Sequence, residues 1–220
     1  AGGIKFGDVM VSPDDYEANA YEYDVRIAEK RIKDAVARMD LLGALRMFSQ
    51  YGEKFGESEG SQGMSALILQ VLKAFKQNLV ENIDSFDKRV EKRLAGLASM
   101  APDDRVKTER ALKEEMGKVE KRYNIEKASG QKWITPDAFH KQSMEEALRQ
   151  VTSEMSRLED LKPPAQSPEV PLAETYRLVW QKLADASAEE KKKVLEEAKA
   201  NRLPKFYLGK LEIRSDLGKN

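Results

Sequence analysis

Between Tyr21 and Leu42 the apolar residues Tyr21, Val25, Ala28, Ile32, Ala35, Met39 and Leu42 fall at steps of 4, 3, 4, 3, 4 and 3. That period holds one narrow stripe along a helix and is incompatible with a strand, whose faces alternate at every second residue. The same three- and four-residue steps carry Ile68, Leu72, Phe75, Leu79, Ile83, Phe86, Val90, Leu94 and Leu97, then Leu112, Met116, Val119 and Tyr123, then Met144, Leu148, Val151, Met155 and Leu158. A chain written this way folds as all-α, and its long heptad-patterned helices predict an elongated antiparallel bundle or coiled coil.

Three start signals place these helices. Ser12-Pro13-Asp14-Asp15, Ala101-Pro102-Asp103-Asp104 and Thr135-Pro136-Asp137 each set a proline where no N–H is needed, with carboxylates facing the positive end of the helix dipole. The spacing predicts a first helix from Pro13 to about Tyr51, roughly 60 Å long at 1.5 Å per residue, with Gly43 as a bend. It predicts a second from about Met64 to Ser99, a third ending before Gly130, and a fourth from the Pro136 signal to about Leu161.

The glycines at 52, 56, 60 and 63 remove helix propensity from 52–63, which reads as a flexible connector. Four prolines within 162–171 read as an extended linker. Beyond it come a short helix from Leu172 to about Ala184 and a last helix opened by the Ser187/Glu190 capping box and stopped before Pro204. The tail from Phe206 to Asn220 alternates weakly and reads as an extended arm in preference to a strand. The resulting organisation is an elongated helical body over 1–161, a proline-rich linker over 162–171, and a helical hairpin with an extended arm over 172–220.

Composition narrows function by exclusion. Charged residues make up 35% of the chain and aromatics 7%, which suits solvated helices, and 38 bases balance 38 acids, which removes the overall field of a nucleic-acid or anionic-membrane binder. Without cysteine there is no disulfide, thiolate metal site or cysteine nucleophile. The expectation is an intracellular, reducing compartment and a protein that is not secreted. The longest apolar run, Ala66 to Leu72, is far shorter than the ~20 residues of a membrane span. Ala1-Gly2-Gly3 has neither the charged nor the apolar region of a signal peptide.

Chemical motifs are sparse. His140 is the single histidine and reads as a surface or first-turn residue, because neither a metal cluster nor a triad can be built around it from this pattern. The glycines before Met64 lack phosphate-loop spacing, and Glu57 and Glu59 would repel an anion. Basic clusters at Lys88-Arg89, Lys92-Arg93, Lys118, Lys121-Arg122 and Lys191-Lys192-Lys193 are interleaved with acids one turn away and read as solvated helix faces, so nucleic acid is disfavoured. No catalytic or metal residue and no cofactor is expected, and the chain reads as a non-enzyme.

Apolar residues outside the seams are more telling. Phe6, Trp133, Ile134, Phe206, Tyr207, Leu208, Leu211 and Ile213 either close the ends of the chain's own bundle or anchor into a partner. The leading expectation is a non-catalytic structural or accessory subunit of a multiprotein assembly, contacting other subunits or a second copy of itself through helix seams and termini. The alternative is a regulatory or adaptor module that binds protein, nucleic acid or a membrane surface transiently.

The first seam yields a direct test. Ile32→Asp puts a charge in a dry stripe and is expected to cost several kcal/mol, read as a lowered melting temperature; an unchanged melt would mean that the stripe faces solvent.

Overall fold

Two of the three proline signals, Pro13 and Pro102, open a helix at once, whereas helix ends are decided by capping chemistry. The computed structural model describes residues 4–6, 9–55, 59–160 and 171–217. Among them, α1 (Pro13–Ala18), α2 (Ala20–Ala37), α3 (Leu41–Phe55), α4 (Glu59–Asp84), α5 (Phe86–Ala98), α6 (Pro102–Ala128), α7 (Lys141–Asp160), α8 (Leu172–Asp185), α9 (Ala188–Ala200) and α10 (Lys205–Leu217) follow a short antiparallel ribbon, β1 (Ile4–Phe6) with β2 (Val9–Val11). The fold is all-helical apart from that ribbon.

The single helix expected from Pro13 to about Tyr51 is three. Asn19 interrupts it first, and Met39, at φ 60°, reverses the chain between α2 and α3. Asp40 then restarts the helix: its carboxylate accepts from Gly43 N at 2.9 Å and its carbonyl accepts from Ala44 N. Gly43 is therefore not a bend. A Cβ there would collide with the Asp40 carboxylate, so the glycine makes room for the cap. In the glycine-bearing stretch 52–63, α3 continues to Phe55 and α4 begins at Glu59, which leaves only 56–58 outside the described residues. Of the expected linker, 162–170 also lies outside them, and Pro171 directly precedes α8.

The third start signal fires late. Asp137 Oδ1 accepts from Phe139 N at 2.9 Å and its own N–H donates to Ser143 Oγ at 3.0 Å, so 137–140 closes a turn and α7 opens at Lys141. Two helices end in the six-to-one motif that needs a left-handed residue after the cap. In α6 the residue is Gly130 (φ 68°), with Gln131 N donating to Glu126 O; in α9 it is Arg202 (φ 59°), with Leu203 N donating to Ala198 O.

The chain forms two compact units. Unit 1 comprises 1–38, 47–65 and 162–220, and unit 2 comprises 39–46 and 66–161. In unit 1, α8 packs on α1, α2, α9 and α10. The C-terminal helices thus share a unit with the N-terminal ones instead of standing apart as a hairpin. The tail expected to be an extended arm is α10, because Leu203, Tyr207, Leu211 and Ser215 repeat every fourth residue and bury one face. In unit 2 the core is lined by Ile68, Leu72, Phe75 and Leu79 of α4 and by Met144, Ala147, Val151 and Leu158 of α7.

The two left-handed caps make opposite predictions. Gly130→Ala is expected to cost about 1 kcal/mol and Arg202→Gly to stabilise by about 0.5–1 kcal/mol, since only glycine adopts this conformation without a Cβ penalty; chemical denaturation of each variant measures the sign directly.

Candidate functional site

A carboxylate at the heart of unit 1 gathers three helices. Asp24 of α2 accepts from Tyr16 Oη of α1 at 2.5 Å, from Lys54 Nζ of α3 at 2.8 Å and from Tyr207 Oη of α10 at 2.9 Å, with its side chain only 12% exposed. Burial alone pushes this carboxyl up, but the hydrogen bonds from Lys54, Tyr16 and Tyr207, with the Lys54 charge, outweigh it and hold it below the ordinary value. The same charge acts in reverse on its donors. Burial first, and Asp24 next, push the hydroxyls of Tyr16 and Tyr207 well above the usual tyrosine value. Around the carboxylate, Tyr207 meets Tyr21 and Tyr176 edge-on and stacks on Phe55, while the Lys54 ammonium lies 4.7 Å from the Phe206 ring centre and 5.3 Å from that of Phe55. Lys210 to Glu17 at 2.8 Å and the Arg214 guanidinium over Trp180 at 4.1 Å complete the hold on α10.

Every donor that the structure gives this carboxylate comes from the unit itself. Asp24 meets three hydroxyl and ammonium donors, so the constellation ties α10 to α1, α2 and α3.

Unit 2 has its own lock. Arg46 donates to Trp133 O at 2.8 Å and to Thr135 Oγ1 at 2.9 Å, and Glu126 accepts from Thr135 N at 2.7 Å and from its hydroxyl at 2.6 Å. His140 stands in the turn before α7, as its position suggested, but it is buried and not on the surface. Its Nε2 meets Glu120 Oε2 at 2.7 Å and its Nδ1 accepts from Ser143 N at 3.2 Å, an arrangement that fixes the tautomer and cross-links α6 to the turn. Its hydrogen bond holds the Glu120 carboxyl below the ordinary value.

A surface groove of about 470 Å³ lies between the end of α6 and α7, lined by Lys127, Lys132, Arg149, Gln150, Ser153 and Glu154 among others. Its charges answer one another: Lys132 pairs with Glu154 at 3.0 Å and Arg149 with Glu146. Among the described residues no group of three or more His, Cys, Asp or Glu side chains is placed to hold a metal ion. No described helix is long and apolar enough to cross a membrane.

The residues expected to meet a partner divide sharply. Trp133 and Ile134 are buried within unit 2, and Tyr207 and Leu211 within unit 1, where they close the chain's own cores. Leu208 is half-buried, while Phe206 at 50% and Ile213 at 64% remain exposed, seven residues apart on one face of α10. Phe6 belongs to β1, where its backbone pairs with Val9. The basic clusters of α5, Lys88-Arg89 and Lys92-Arg93, depart from their sequence reading. The acids one turn from these bases form no ion pair with them, although such spacing suggested paired, solvated faces.

Compared with protein families, curated proteins and solved structures, the chain matches none.

Asp24 gives the testable consequence. Because its folded pKa lies below the unfolded value of ~4, the stability it contributes is complete above pH 4 and is lost as pH falls through the lower, folded value. Asp24→Asn is expected to cost about 2–3 kcal/mol near neutral pH and to flatten the acid limb of the melting-temperature profile; an unchanged profile would show that the cluster contributes nothing.

Proposed function

We propose that the protein is a non-catalytic subunit of a larger protein assembly, and that α5 with the adjoining half of α6 forms the arm by which it joins that assembly. One observation carries this reading. The apolar seam that is buried at Ile68, Leu72, Phe75 and Leu79 continues at the same spacing through Ile83, Phe86, Val90, Leu94 and Leu97, yet from Phe86 to Lys118 no residue is buried. Leu94 is 59% exposed, and Met100 and Val106 at the turn of the hairpin are exposed as well.

Helices of this length gain little stability from propensity alone, and most of a protein helix's stability comes from packing its apolar face. A seam at core spacing without a core is what a helix carries when its packing surface comes from another chain. Coiled-coil pairing with partner helices is the arrangement that the heptad steps favour. The Asp24 cluster, whose donors all come from the unit itself, and the self-compensated groove of unit 2 support the non-catalytic part of the reading. An intracellular setting remains part of the proposal, on the absence of cysteine.

Light scattering on the purified chain, with and without Leu94→Glu/Leu97→Glu, tests the proposal. The expectation is self-association or insolubility of the parent chain, relieved in the double variant with a change in folding stability of about 1 kcal/mol or less, Leu94 being exposed and Leu97 half-buried. A compact monomer whose stability collapses on substitution would overturn it. A compact monomer that shifts on DNA or anionic vesicles in a salt-sensitive way would favour the adaptor instead.

A further inference from the structure

The outward face of α10 carries a short heptad pattern of its own. At 100° per residue, Phe206, Gly209 and Ile213 fall within about 60° of one another, at the steps of 3 and 4 that make a seam, and the stripe ends at Asp216. This face is turned away from Tyr207 and Leu211, which are buried, and its Phe206 and Ile213 are exposed. Lys205 and Glu212 run along one border of the stripe, about 20° apart around the helix, and Lys210 runs along the other.

Unit 1 holds this face in place without using it. The Phe206 ring is fixed by the Lys54 ammonium, 4.7 Å from its centre, and by the Tyr207 ring edge-on at 5.0 Å. Gly209 sits in mid-helix, where glycine lowers helix stability relative to alanine. Nothing in the chain's own packing requires it: its φ is not positive, and a Cβ there would meet nothing within 4 Å. Lys205 is exposed, and its side chain makes no ion pair or hydrogen bond among the described residues. Glu212 reaches Lys199 of α9 only at 3.9 Å, while Lys199 stands closer to Glu196, at 3.1 Å. Between half-exposed side chains so long a pair contributes little.

We infer that this face of α10 pairs with the same face of a second copy of the chain, the two helices running antiparallel about a two-fold axis near Gly209. A two-fold axis perpendicular to the helices keeps each border on its own side, so Lys205 of each copy meets Glu212 of the other in two equivalent pairs. Phe206 of each copy falls beside Ile213 of the other. The two glycines face one another at the crossing, where the missing side chains let the backbones approach. Parallel pairing would instead set Lys205 against Lys210, which repel. The face is thus complementary to itself in one orientation, and that selects a second copy as its occupant. Thirteen residues, about 20 Å of helix, give a weak dimer at the small end of specific interfaces. The inference uses residues of unit 1 alone and goes beyond the α5 reading.

Sedimentation of the full chain over a range of concentrations tests it, in the parent and in Leu94→Glu/Leu97→Glu, where association through α5 is silenced. A monomer–dimer equilibrium is expected to persist in Leu94→Glu/Leu97→Glu. In that background Lys205→Glu, and separately Glu212→Lys, should weaken the dimer about tenfold or more, and Lys205→Glu/Glu212→Lys should restore it, because the reciprocal pairs re-form with their signs exchanged. Ile213→Glu, at an exposed position, should abolish the dimer without lowering the melting temperature of the monomer. Gly209→Gln, a better helix former in open space, should raise that temperature and still abolish the dimer, which separates docking from folding. A monomer at every concentration up to about 1 mM, a dimer that Lys205→Glu strengthens, a charge exchange that fails to restore it, or a dimer indifferent to Gly209→Gln would each overturn the inference. Larger assemblies that Leu94→Glu/Leu97→Glu reduces to monomer would leave the α5 reading standing and refute this one, whereas the same charge-dependent dimer in both chains would refute only the α5 arm.

Discussion

Unit 1 depends on one negative charge that is largely shielded from solvent. Asp24 is held by donors from α1, α3 and α10, segments separated by as many as 183 positions in the chain, so a single carboxylate sets the mutual placement of elements that no local signal could bring together. Its value lies in specificity as much as in energy. The aromatic rings around it would pack in several arrangements on hydrophobic grounds alone, whereas the hydroxyls of Tyr16 and Tyr207 and the Lys54 ammonium satisfy the charge in one. Removing any donor leaves the anion under-compensated in an apolar surround, which is why its neighbours are tied to it more strongly than their contact area suggests.

Local chemistry was legible in the sequence, and long-range chemistry was not. The Pro102 start, the Ser187/Glu190 capping box and the end of α6 before Gly130 stand in the structure where residue type and spacing put them, because each is decided within one turn. The Asp40 cap was misread as a Gly43 bend because a carboxylate three residues ahead of a glycine signals a helix start only if the chain has already broken, and the break is made by Met39 in a conformation its side chain disfavours. The tail was misread for a related reason. Phe206 and Leu208 alternate like a strand, and the four-residue repeat of Leu203, Tyr207, Leu211 and Ser215 is completed by a leucine before Pro204 and by a serine, neither of which marks an apolar stripe by itself.

Site residues follow the same division. Apolar groups outside the heptad seams stand out in the sequence, yet Trp133, Ile134, Tyr207 and Leu211 owe their positions to tertiary locks around Arg46 and Asp24 that depend on contacts across scores of residues. The seam of α5, half-buried at Phe86, Val90 and Leu97 and exposed at Leu94, was hidden by its own regularity. In sequence it is indistinguishable from the buried seam of α4 that runs into it, and only burial separates the two.

That arm also bears on how the protein can change. A body such as unit 1 constrains nearly every interior position through shared packing, so its substitutions are coupled. From Phe86 to Lys118 no side chain is committed to such a core, and substitutions there are free of that coupling except near Arg89 and Arg93. On the assembly reading, the α5–α6 segment and the folded bodies are separate evolutionary problems carried on one continuous chain: the segment can drift with little cost to either core, while the ends that organise Asp24 stay under the discipline of a single shielded charge.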